Sequence, residues 1–490
     1  MLLSELAKAL QNAGIEAEAF GEAEINDITF DSRNVKNGAL FTCKGEAFKE
    51  EYLLGAIESG ASAYMAQKKF QSADIPCIVT GDIRKAMSIV AITFFGEPFK
   101  AFNTVGITGT KGKTTTTFFL NNIFNAFTEI KNSAFTTVEV MLSDEIRKSV
   151  LTTPEAYDLQ RLLYDVKQKG SQFLTMEVSS QALKVDRVYG MHYDVGIFLN
   201  VDDDHISPKE HPDWNDYFNS KLKLFELCDT AVVNMDDPHA EAILEHARAN
   251  SKTVYTYGES QKSDYRITDI VKNGELLDFE IKMPNGDIGN YSISMHGRFN
   301  VSNALAAIIT AKSFGVSDEA IKKGLLETHV PGRMDFFYNK EKDVYVVVDF
   351  AHNKLSFDNL FKSLKDEYPE RRFGVVIGSA GGKGFQRRKA IGEVLTKYAD
   401  YAILTDCDSN YEDTESICRD ILQHVGEDGP ECRIILDREE AITTALKEAQ
   451  NGDIIALVAR GEESRRWWKG QILECVPDTE LARRFRDGEL

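Results

Sequence analysis

The stretch Val105-Gly106-Ile107-Thr108-Gly109-Thr110-Lys111-Gly112-Lys113-Thr114-Thr115 decides the fold, because it joins an apolar run to a glycine-rich turn. The β-branched start predicts a buried strand, and Lys113 with Thr114 opens a predicted helix. Such a turn directs backbone N–H groups, a helix N-terminus and one ammonium to the same place, where a polyphosphate binds. The Thr114 hydroxyl is placed to help hold Mg²⁺. The sequence therefore predicts a phosphate loop for ATP or a related nucleotide.

The loop departs from the strict pattern G-x-x-x-x-G-K-[ST], because Ile107 stands at the position of the first glycine. Glycines are available instead at Gly106, Gly109 and Gly112. An ordinary strand-to-helix turn is the alternative interpretation. Gly-Lys-Thr directly after a strand favours phosphate binding over that alternative.

The composition of the whole chain limits its size class, partners and location. A chain of 490 residues predicts about three domains. The formal net charge of −20 argues against nucleic acid or an anionic membrane as a partner. The seven cysteines are scattered and form no C-x-x-C pair, which favours reduced thiols over a disulfide framework or a zinc site. The N-terminus lacks the features of a signal peptide, and apolar runs are too short for a bilayer, so we expect a cytoplasmic protein.

Two segments rich in turn residues divide the chain into three predicted α/β domains. Pro98 marks the first boundary and Pro331-Gly332 marks the second. We expect a mixed α/β domain over 1–100, a central phosphate-loop domain with a mostly parallel sheet over 101–330, and a Rossmann-like doubly wound domain over 331–490. The predicted strands of the last two domains are 172–178, 193–199, 230–234, 344–349, 373–377, 401–405, 433–436 and 454–458.

Polar residues follow several of these predicted strands, at the edge where parallel sheets bind ligands. Glu177 ends one strand beside the phosphate loop and is either a Mg²⁺ ligand or a solvated carboxylate. Three aspartates and His205 follow the next strand and suggest a second cation site. Lys221 lies on an amphipathic helix, and its spacing alone indicates a surface lysine. The glycine loop 378–384 is either a ligand contact or a tight turn.

Together these segments resemble the Mur ligases, ATP-dependent amide-bond-forming enzymes of peptidoglycan precursor synthesis. The hallmark positions of the family have counterparts here in the family's order: Lys113, Glu177, His205, Asn300, Asn303, Arg333 and Asp349. Within the family the chain is most similar to the MurE type, which adds the third amino acid to UDP-MurNAc-L-Ala-D-Glu. The resemblance covers nearly the whole chain and implies ATP and two Mg²⁺ sites as cofactors.

The resemblance also implies a role for each matching residue. The implied ATP-binding residues are Gly109, Thr110, Lys111, Gly112, Lys113, Thr114, Thr115, Asn300, Asn303, Arg333 and Asp349. The implied contacts to the UDP-sugar substrate are Ser32, Thr152, Thr153, Ser179 and Arg187. The implied catalytic residues are Lys113, Glu177, His205, Lys221 and Arg333. The implied metal ligands are Thr114 and Glu177 for one Mg²⁺, with His205 and a carbamylated Lys221 for the other.

The amino acid that is added depends on a specificity motif in the last domain. MurE-type enzymes for meso-diaminopimelate carry Asp-Asn-Pro-Arg, whereas this chain has Cys407-Asp408-Ser409-Asn410, with Asn410 at the arginine position. The surrounding residues resemble the L-lysine-adding enzymes, and a cationic ε-amine is better served by acids than by a guanidinium. The expected amino-acid pocket consists of Lys383, Asp408, Asn410 and Glu463. Ala459-Arg460-Gly461-Glu462-Glu463 replaces the usual Gly-Lys-Gly-x-Glu, so ornithine and meso-diaminopimelate remain alternatives.

Other classes of function stay open at this level. A phosphate-loop phosphotransferase would not need an amine, and a non-catalytic homologue would only bind nucleotide or precursor. A folylpolyglutamate synthase would share the phosphate loop, but the Asp31-Ser32-Arg33 segment speaks against it. The preferred interpretation is a monomeric cytoplasmic ligase that joins a free amino acid to a UDP-linked precursor, with roles in cell-wall biogenesis, cell shape and cell division.

Overall fold

The computed structural model of the chain describes residues 1–45, 47–202, 206–207, 210–382 and 385–490. They form two compact units, one of Met1–Arg266 with Leu305–Gly324 and the other of Ile267–Ala304 with Leu325–Leu490. Helices and strands alternate through most of both units, which confirms the predicted α/β class. The division into three domains at 100 and 330 stays a prediction.

The helices are α1 Leu3–Asn12, α2 Glu50–Glu58, α3 Ile83–Phe94, α4 Lys113–Phe127, α5 Ala156–Gln168, α6 Ser180–Lys184, α7 Trp214–Leu222, α8 Ala240–Asn250, α9 Arg298–Ser313, α10 Asp318–Leu326, α11 Lys354–Glu367, α12 Phe385–Tyr398, α13 Thr414–Leu422, α14 Arg438–Lys447 and α15 Asp478–Arg486. None of the helices in the described ranges is long and apolar enough to cross a membrane.

The first unit contains two sheets. Strands β1 Ala17–Phe20, β2 Asp27–Thr29, β3 Ala39–Thr42, β4 Ala61–Ala66 and β5 Cys77–Thr80 form the first sheet, in the order β1-β5-β4-β3-β2. The strands of the second sheet that lie wholly in this unit are β6 Asn103–Thr108, β7 Ser133–Phe135, β8 Glu139–Met141, β9 Ile146–Lys148, β10 Phe173–Glu177, β11 Tyr193–Phe198, β12 Cys228–Asn234 and β13 Thr253–Gly258. Strand β6 lies between β10 and β11 and is parallel to both, so their carboxyl ends meet at one edge.

The second unit contains a parallel sheet and two hairpins. Its strands are β14 Tyr265–Asn273 (which starts in the first unit), β15 Leu276–Lys282, β16 Ile288–Ile293, β17 Asp335–Asn339, β18 Val344–Asp349, β19 Arg372–Ile377, β20 Tyr401–Leu404, β21 Glu431–Ile434, β22 Asp453–Val458, β23 Arg465–Trp468 and β24 Gln471–Glu474. The parallel sheet has the order β17-β18-β22-β19-β20-β21, with only β17 antiparallel to its neighbour among these described strands. Apolar side chains of this sheet and its helices form buried clusters on both faces.

Candidate active site

The phosphate loop follows β6, as predicted, and α4 begins at Lys113. Gly112 precedes the helix with φ +86°, a left-handed conformation that glycine adopts without strain. Asn200, at the end of β11, braces the loop through its side chain: its Oδ1 accepts from Lys111 N at 2.8 Å and its Nδ2 donates to Lys111 O at 3.0 Å. The backbone N–H of Thr110 also donates to Asn200 O at 3.0 Å. The neighbouring strand therefore fixes the shape of the loop.

Two ammonium groups lie against the loop backbone. Lys113 Nζ donates to Gly109 O at 2.8 Å and to Thr110 O at 3.3 Å. Lys221 Nζ donates to the same Gly109 oxygen at 3.0 Å. Lys221 is only 2% exposed. Lys221 is therefore buried at the loop rather than on the surface that its spacing alone indicated. The catalytic and metal-binding role that the resemblance implies for Lys221, and its carbamylation, stay predictions.

Glu177 meets the first turn of α4 from the end of β10. Its Oε1 accepts from Thr114 Oγ1 at 2.8 Å and from Thr137 N at 2.9 Å, and its Oε2 accepts from Thr137 Oγ1 at 2.9 Å. The Glu177 side chain is buried. A carboxylate and a hydroxyl beside a phosphate loop fit Mg²⁺, which commonly takes one or two carboxylates and completes its shell with water and phosphate oxygens. His205 lies outside the described residues.

A chain of hydrogen bonds links the phosphate loop to α6 and α7. Tyr217 OH lies 2.8 Å from Thr110 Oγ1, and the Tyr217 ring packs edge-on against His211. The fully buried His211 contacts Ser180 Oγ through Nε2 at 3.0 Å and Asp216 Oδ2 through Nδ1 at 2.6 Å. His211 and Tyr217 were not predicted as site residues from the sequence, because the contacts that position them are long-range. The available signal was the position of Tyr217 four residues before Lys221, one turn earlier on the same helix.

Thr153, Ser179 and Arg187 come together on the other side of Glu177. Thr153 Oγ1 donates to the backbone oxygen of Glu177 at 2.9 Å and accepts from Ser179 N at 3.0 Å. Arg187 Nη1 donates to Thr153 O at 3.0 Å. Thr152 joins the group, since its Oγ1 lies 3.0 Å from that of Thr137. The structure therefore gathers these four predicted substrate residues around the strand end that carries the candidate metal ligand.

A cluster of cations surrounds Glu155, which follows the Thr152-Thr153 pair. Lys44 Nζ lies 2.5 Å and Arg84 Nη1 lies 3.1 Å from its Oε2, and Arg187 Nη2 lies 3.0 Å from its Oε1. Burial raises the pKa of Glu155, but Arg187 and Lys44 outweigh it and hold the pKa below its usual value. The formal charge of this cluster is positive, which suits an anionic substrate. Lys44 and Arg84 were not foreseen in the sequence.

Ser32 lies in a short 3₁₀ turn, Ser32–Asn34, after β2. Asp31 caps this turn, accepting from Arg33 N at 3.0 Å and from Arg33 Nη2 at 2.7 Å. A cavity of about 510 Å³ opens beside the turn, and Asp31, Tyr157 and Arg161 contribute to its lining. This cavity is large enough for a planar base with part of a sugar.

The second unit pairs the remaining ATP-site candidates. Asn303 Nδ2 donates to Asn300 Oδ1 at 3.1 Å. The Arg333 guanidinium lies 4.4 Å from the centroid of the Phe350 ring. Asp349 accepts from Met334 N at 2.8 Å through Oδ2, which ties the end of β18 to the segment that carries Arg333. Arg333 also lines a cavity of about 850 Å³ within this unit.

The expected amino-acid pocket lies at the ends of β20 and β22. Arg460 Nη1 donates to Asp408 Oδ1 at 2.8 Å, and Glu463 Oε2 lies 3.8 Å from Arg460 Nη2. Burial raises the pKa of Glu463 above its usual value, although Arg460 opposes the rise. Asn410 Oδ1 accepts from Gly470 N at 3.2 Å. Lys383 lies outside the described residues.

The ion pair between Asp408 and Arg460 was not foreseen, since the two residues are far apart in sequence. Asn410 and Ala459, which lie close to this ion pair in the sequence, have left-handed backbone conformations, with φ +55° and φ +85°. Glu412, two residues after Asn410, is held by Arg388, whose Nη1 and Nη2 lie 2.8 and 2.7 Å from its carboxylate oxygens.

A phosphate loop on a parallel sheet, followed by a second α/β sheet, defines a nucleotide-binding α/β protein. Residues 107–311 match the Mur ligase middle domain and residues 332–461 match the Mur ligase glutamate ligase domain. The chain belongs to the Mur ligase family.

Its curated relatives include UDP-N-acetylmuramoyl-L-alanyl-D-glutamate–L-lysine ligases. The protein of this name from Enterococcus faecalis is 37% identical over 475 residues, which cover 96% of this chain and 93% of the relative. That from Streptococcus pneumoniae serotype 2 is 35% identical over 470 residues, covering 95% and 94%.

Solved structures share the fold. A UDP-N-acetylmuramoyl-L-alanyl-D-glutamate–2,6-diaminopimelate ligase superposes with a TM-score of 0.68 at 25% identity over 95% of each chain. The MurF ligase of Thermotoga maritima, solved with ADP, has a TM-score of 0.62 at 20% identity over 89% of this chain and 94% of its own.

Proposed function

We propose that the protein is an ATP-dependent ligase that joins L-lysine to the D-glutamate of UDP-MurNAc-L-Ala-D-Glu in peptidoglycan precursor synthesis. The contacts of Glu177 carry this proposal. Its carboxylate faces the phosphate loop through Thr114, while its backbone oxygen accepts from Thr153 in the candidate substrate site. The end of β10 thus contacts both the phosphate loop and the candidate precursor site. Activation of a precursor carboxylate by ATP requires these two sites to be adjacent. The L-lysine ligases among the curated relatives support the same activity.

The proposed reaction places negative charge on the phosphate oxygens of ATP, and the site residues stabilise that charge. A substrate carboxylate attacks the γ-phosphorus of ATP, ADP leaves, and the acyl phosphate is attacked by the amine to give an amide and phosphate. Lys113 and the loop N–H groups stabilise the negative charge on the phosphates. Mg²⁺, when bound, adds charge neutralisation at the phosphate oxygens. Thr114 and Glu177 would hold one ion, with His205 and a carbamylated Lys221 holding the other.

The remaining candidates supply binding. Asn300, Asn303, Arg333 and Asp349 would hold adenine, ribose and phosphates. Thr152, Thr153, Ser179 and Arg187 would hold the peptide part of the precursor, and the turn at Ser32 with its adjoining cavity would hold the nucleotide. Lys383, Asp408, Asn410 and Glu463 would bind the incoming amino acid. We propose a cytoplasmic monomer of three domains, 1–100, 101–330 and 331–490, with roles in cell-wall growth, cell shape and cell division.

Release of ADP tests this function against its rivals. ADP is measured with ATP and Mg²⁺ alone, then with UDP-MurNAc-L-Ala-D-Glu, then with L-lysine added. A ligase requires both additions for sustained turnover. Turnover with the precursor but without any amine would indicate a phosphotransferase, and binding without turnover would indicate a non-catalytic homologue.

A further inference from the structure

Arg438 is a buried arginine at the start of α14 that faces the ends of two strands in the second unit. Its guanidinium forms a two-point ion pair with Asp478: Nε lies 2.9 Å from Oδ1 and Nη2 lies 2.6 Å from Oδ2. The side chains are 9% and 2% exposed. A buried ion pair contributes little net stability, because desolvation of the charges offsets their attraction. The role of this pair must therefore be sought in its other contacts.

Those other contacts are with two backbone carbonyls. Arg438 Nη2 donates to Val458 O at 2.8 Å and Nη1 donates to Asp406 O at 3.3 Å. Val458 is the last residue of β22, and Asp406 lies just past β20. The loop after β22 begins at Ala459, and the loop after β20 begins at Thr405 and includes Asp406. One planar guanidinium thus spans the starting points of both loops of the expected amino-acid pocket, which the point charge of a lysine would not do.

We propose that Arg438, held in place by Asp478, is a positioning residue that sets the spacing between the two loops of the amino-acid pocket. This inference rests on the proposed function, since it assigns these loops to the incoming amino acid. Asp408 and Glu463 sit on opposite loops and are joined through Arg460. A displacement of one loop against the other therefore changes the relative position of the two acidic candidates for the substrate amine, and misplacement by about 1 Å can cost on the order of 100-fold in rate.

The same sheet provides a control pair at the opposite, amino ends of its strands. Arg372 pairs with Asp453 in the same two-point geometry, with Nε to Oδ1 at 2.9 Å and Nη2 to Oδ2 at 2.8 Å. These residues begin β19 and β22, so their pair lies at the amino ends of the strands and away from the pocket. The Arg372 pair joins two strands of the sheet, whereas the Arg438 pair joins the first residues of α14 and α15, and only Arg438 contacts the two loops.

The test compares Arg438→Met/Asp478→Leu with Arg372→Met/Asp453→Leu in the full-length protein. Each double variant removes both charges, so neither leaves a lone buried ion. We expect KM for L-lysine to rise about tenfold or more in the first variant only. KM for ATP and for the UDP-linked precursor should stay within about twofold of wild type in both, since distant sites act independently. Arg438→Lys, which keeps the charge but loses the fork, should show a smaller rise in KM for L-lysine and serves if the double variant does not fold.

Four results would overturn the inference. Equal KM for L-lysine in the Arg438 and Arg372 variants would make the Arg438 pair merely structural, as would a parallel rise of all three KM values. Wild-type protein without any amine-dependent turnover would refute the proposed function and the inference together. Normal wild-type turnover with an unmoved KM in Arg438→Lys and in the double variant refutes the inference alone.

Discussion

Thr114 Oγ1 donates to Glu177 Oε1 at 2.8 Å, so a hydroxyl from the first turn of α4 meets a carboxylate from the end of β10. The two residues are 63 positions apart in the sequence. Parallel pairing of β6 with β10 is what brings them together. The pair places an anionic oxygen beside a phosphate loop, which is the arrangement that a Mg²⁺-dependent phosphoryl transfer needs.

Removing the negative charge of Glu177 without changing the shape of its side chain should abolish catalysis and leave the fold intact. Glu177→Gln can still accept from Thr114 Oγ1 and Thr137 N through its one oxygen, and its amide nitrogen can donate to Thr137 Oγ1, but it no longer neutralises a cation. We expect kcat for ADP release to fall about 100-fold or more, with little change in melting temperature. Glu139→Gln, a change of the same kind on the nearby strand β8, is the control and should retain activity. A Glu177→Gln enzyme of normal rate would remove this residue from the metal site.

Lys221→Ala tests the proposed carbamate. The variant should lose most ADP release, because the ligand for one Mg²⁺ is gone. A small carboxylic acid such as acetate should restore part of the rate by supplying an oxygen ligand in the vacated space. Lys223→Ala, two residues further along the same segment, should behave as wild type. Normal turnover of Lys221→Ala without any additive would contradict the assignment.

Asn410→Arg should shift preference toward meso-diaminopimelate by about tenfold, through a charged hydrogen bond to the additional carboxylate. The change also has a structural cost, because Asn410 has φ +55° and its Oδ1 accepts from Gly470 N. Arginine is less tolerant of that backbone than asparagine, so we expect a lower melting temperature as well. Asn410→Gly is the control, since it accepts the backbone but has no guanidinium. The same shift in preference with glycine would mean that loss of the Asn410 side chain and its hydrogen bond to Gly470, not the new guanidinium, changes specificity.

Ala459→Gly should stabilise the protein. Ala459 has φ +85°, a left-handed conformation that costs a residue with a Cβ about 1–2 kcal/mol. The greater freedom of glycine in the unfolded chain offsets about 0.5–1 kcal/mol of that gain. We therefore expect the free energy of unfolding to rise by up to about 1.5 kcal/mol in denaturant titrations. Ala456→Gly, in the regular part of β22, should lower it; equal effects of the two changes would contradict the strain at Ala459.

Glu155 should stabilise the protein in a pH-dependent way. Arg187 and Lys44 outweigh the effect of burial and hold its pKa below the usual 4.5, so its stabilisation is complete above that pH and is lost as the pH falls through the lowered pKa. Glu155→Gln leaves the surrounding cations without their anion and should lower the free energy of unfolding by about 1–3 kcal/mol at pH 7. The difference from wild type should shrink on acidification. A difference that stays constant to low pH would contradict this account.

Much of the fold could be read from the sequence, because buried strands have continuous apolar runs. The strand predicted over 344–349 has those bounds, and the one predicted over 193–199 is Tyr193–Phe198. The prediction of 433–436 was wrong by two residues at each end, since β21 is Glu431–Ile434. Polar residues alternate with half-buried apolar ones in that edge strand, and the continuous apolar run 434–436 extends past its end, so the run does not mark the bounds of the strand.

The residues of the candidate site were easier to predict from the sequence than the contacts between them. The phosphate loop and Glu177 follow from local patterns at strand ends. The brace by Asn200, the burial of Lys221 and the pairing of Arg460 with Asp408 depend on elements that meet only in the folded chain. The resemblance to the family identified Lys221, whereas its own spacing indicated an exposed side chain.

The most direct test of the account is the identity of the amine that the protein joins to its precursor. Wild-type protein is incubated with UDP-MurNAc-L-Ala-D-Glu, ATP and Mg²⁺, and kcat/KM is measured for L-lysine, L-ornithine and meso-diaminopimelate, with the product identified by mass. We expect L-lysine to be preferred and the product to have gained one lysyl residue, with one ADP released per product. ADP release that needs no amine, or a product that has gained only a phosphoryl group, would contradict the central claim.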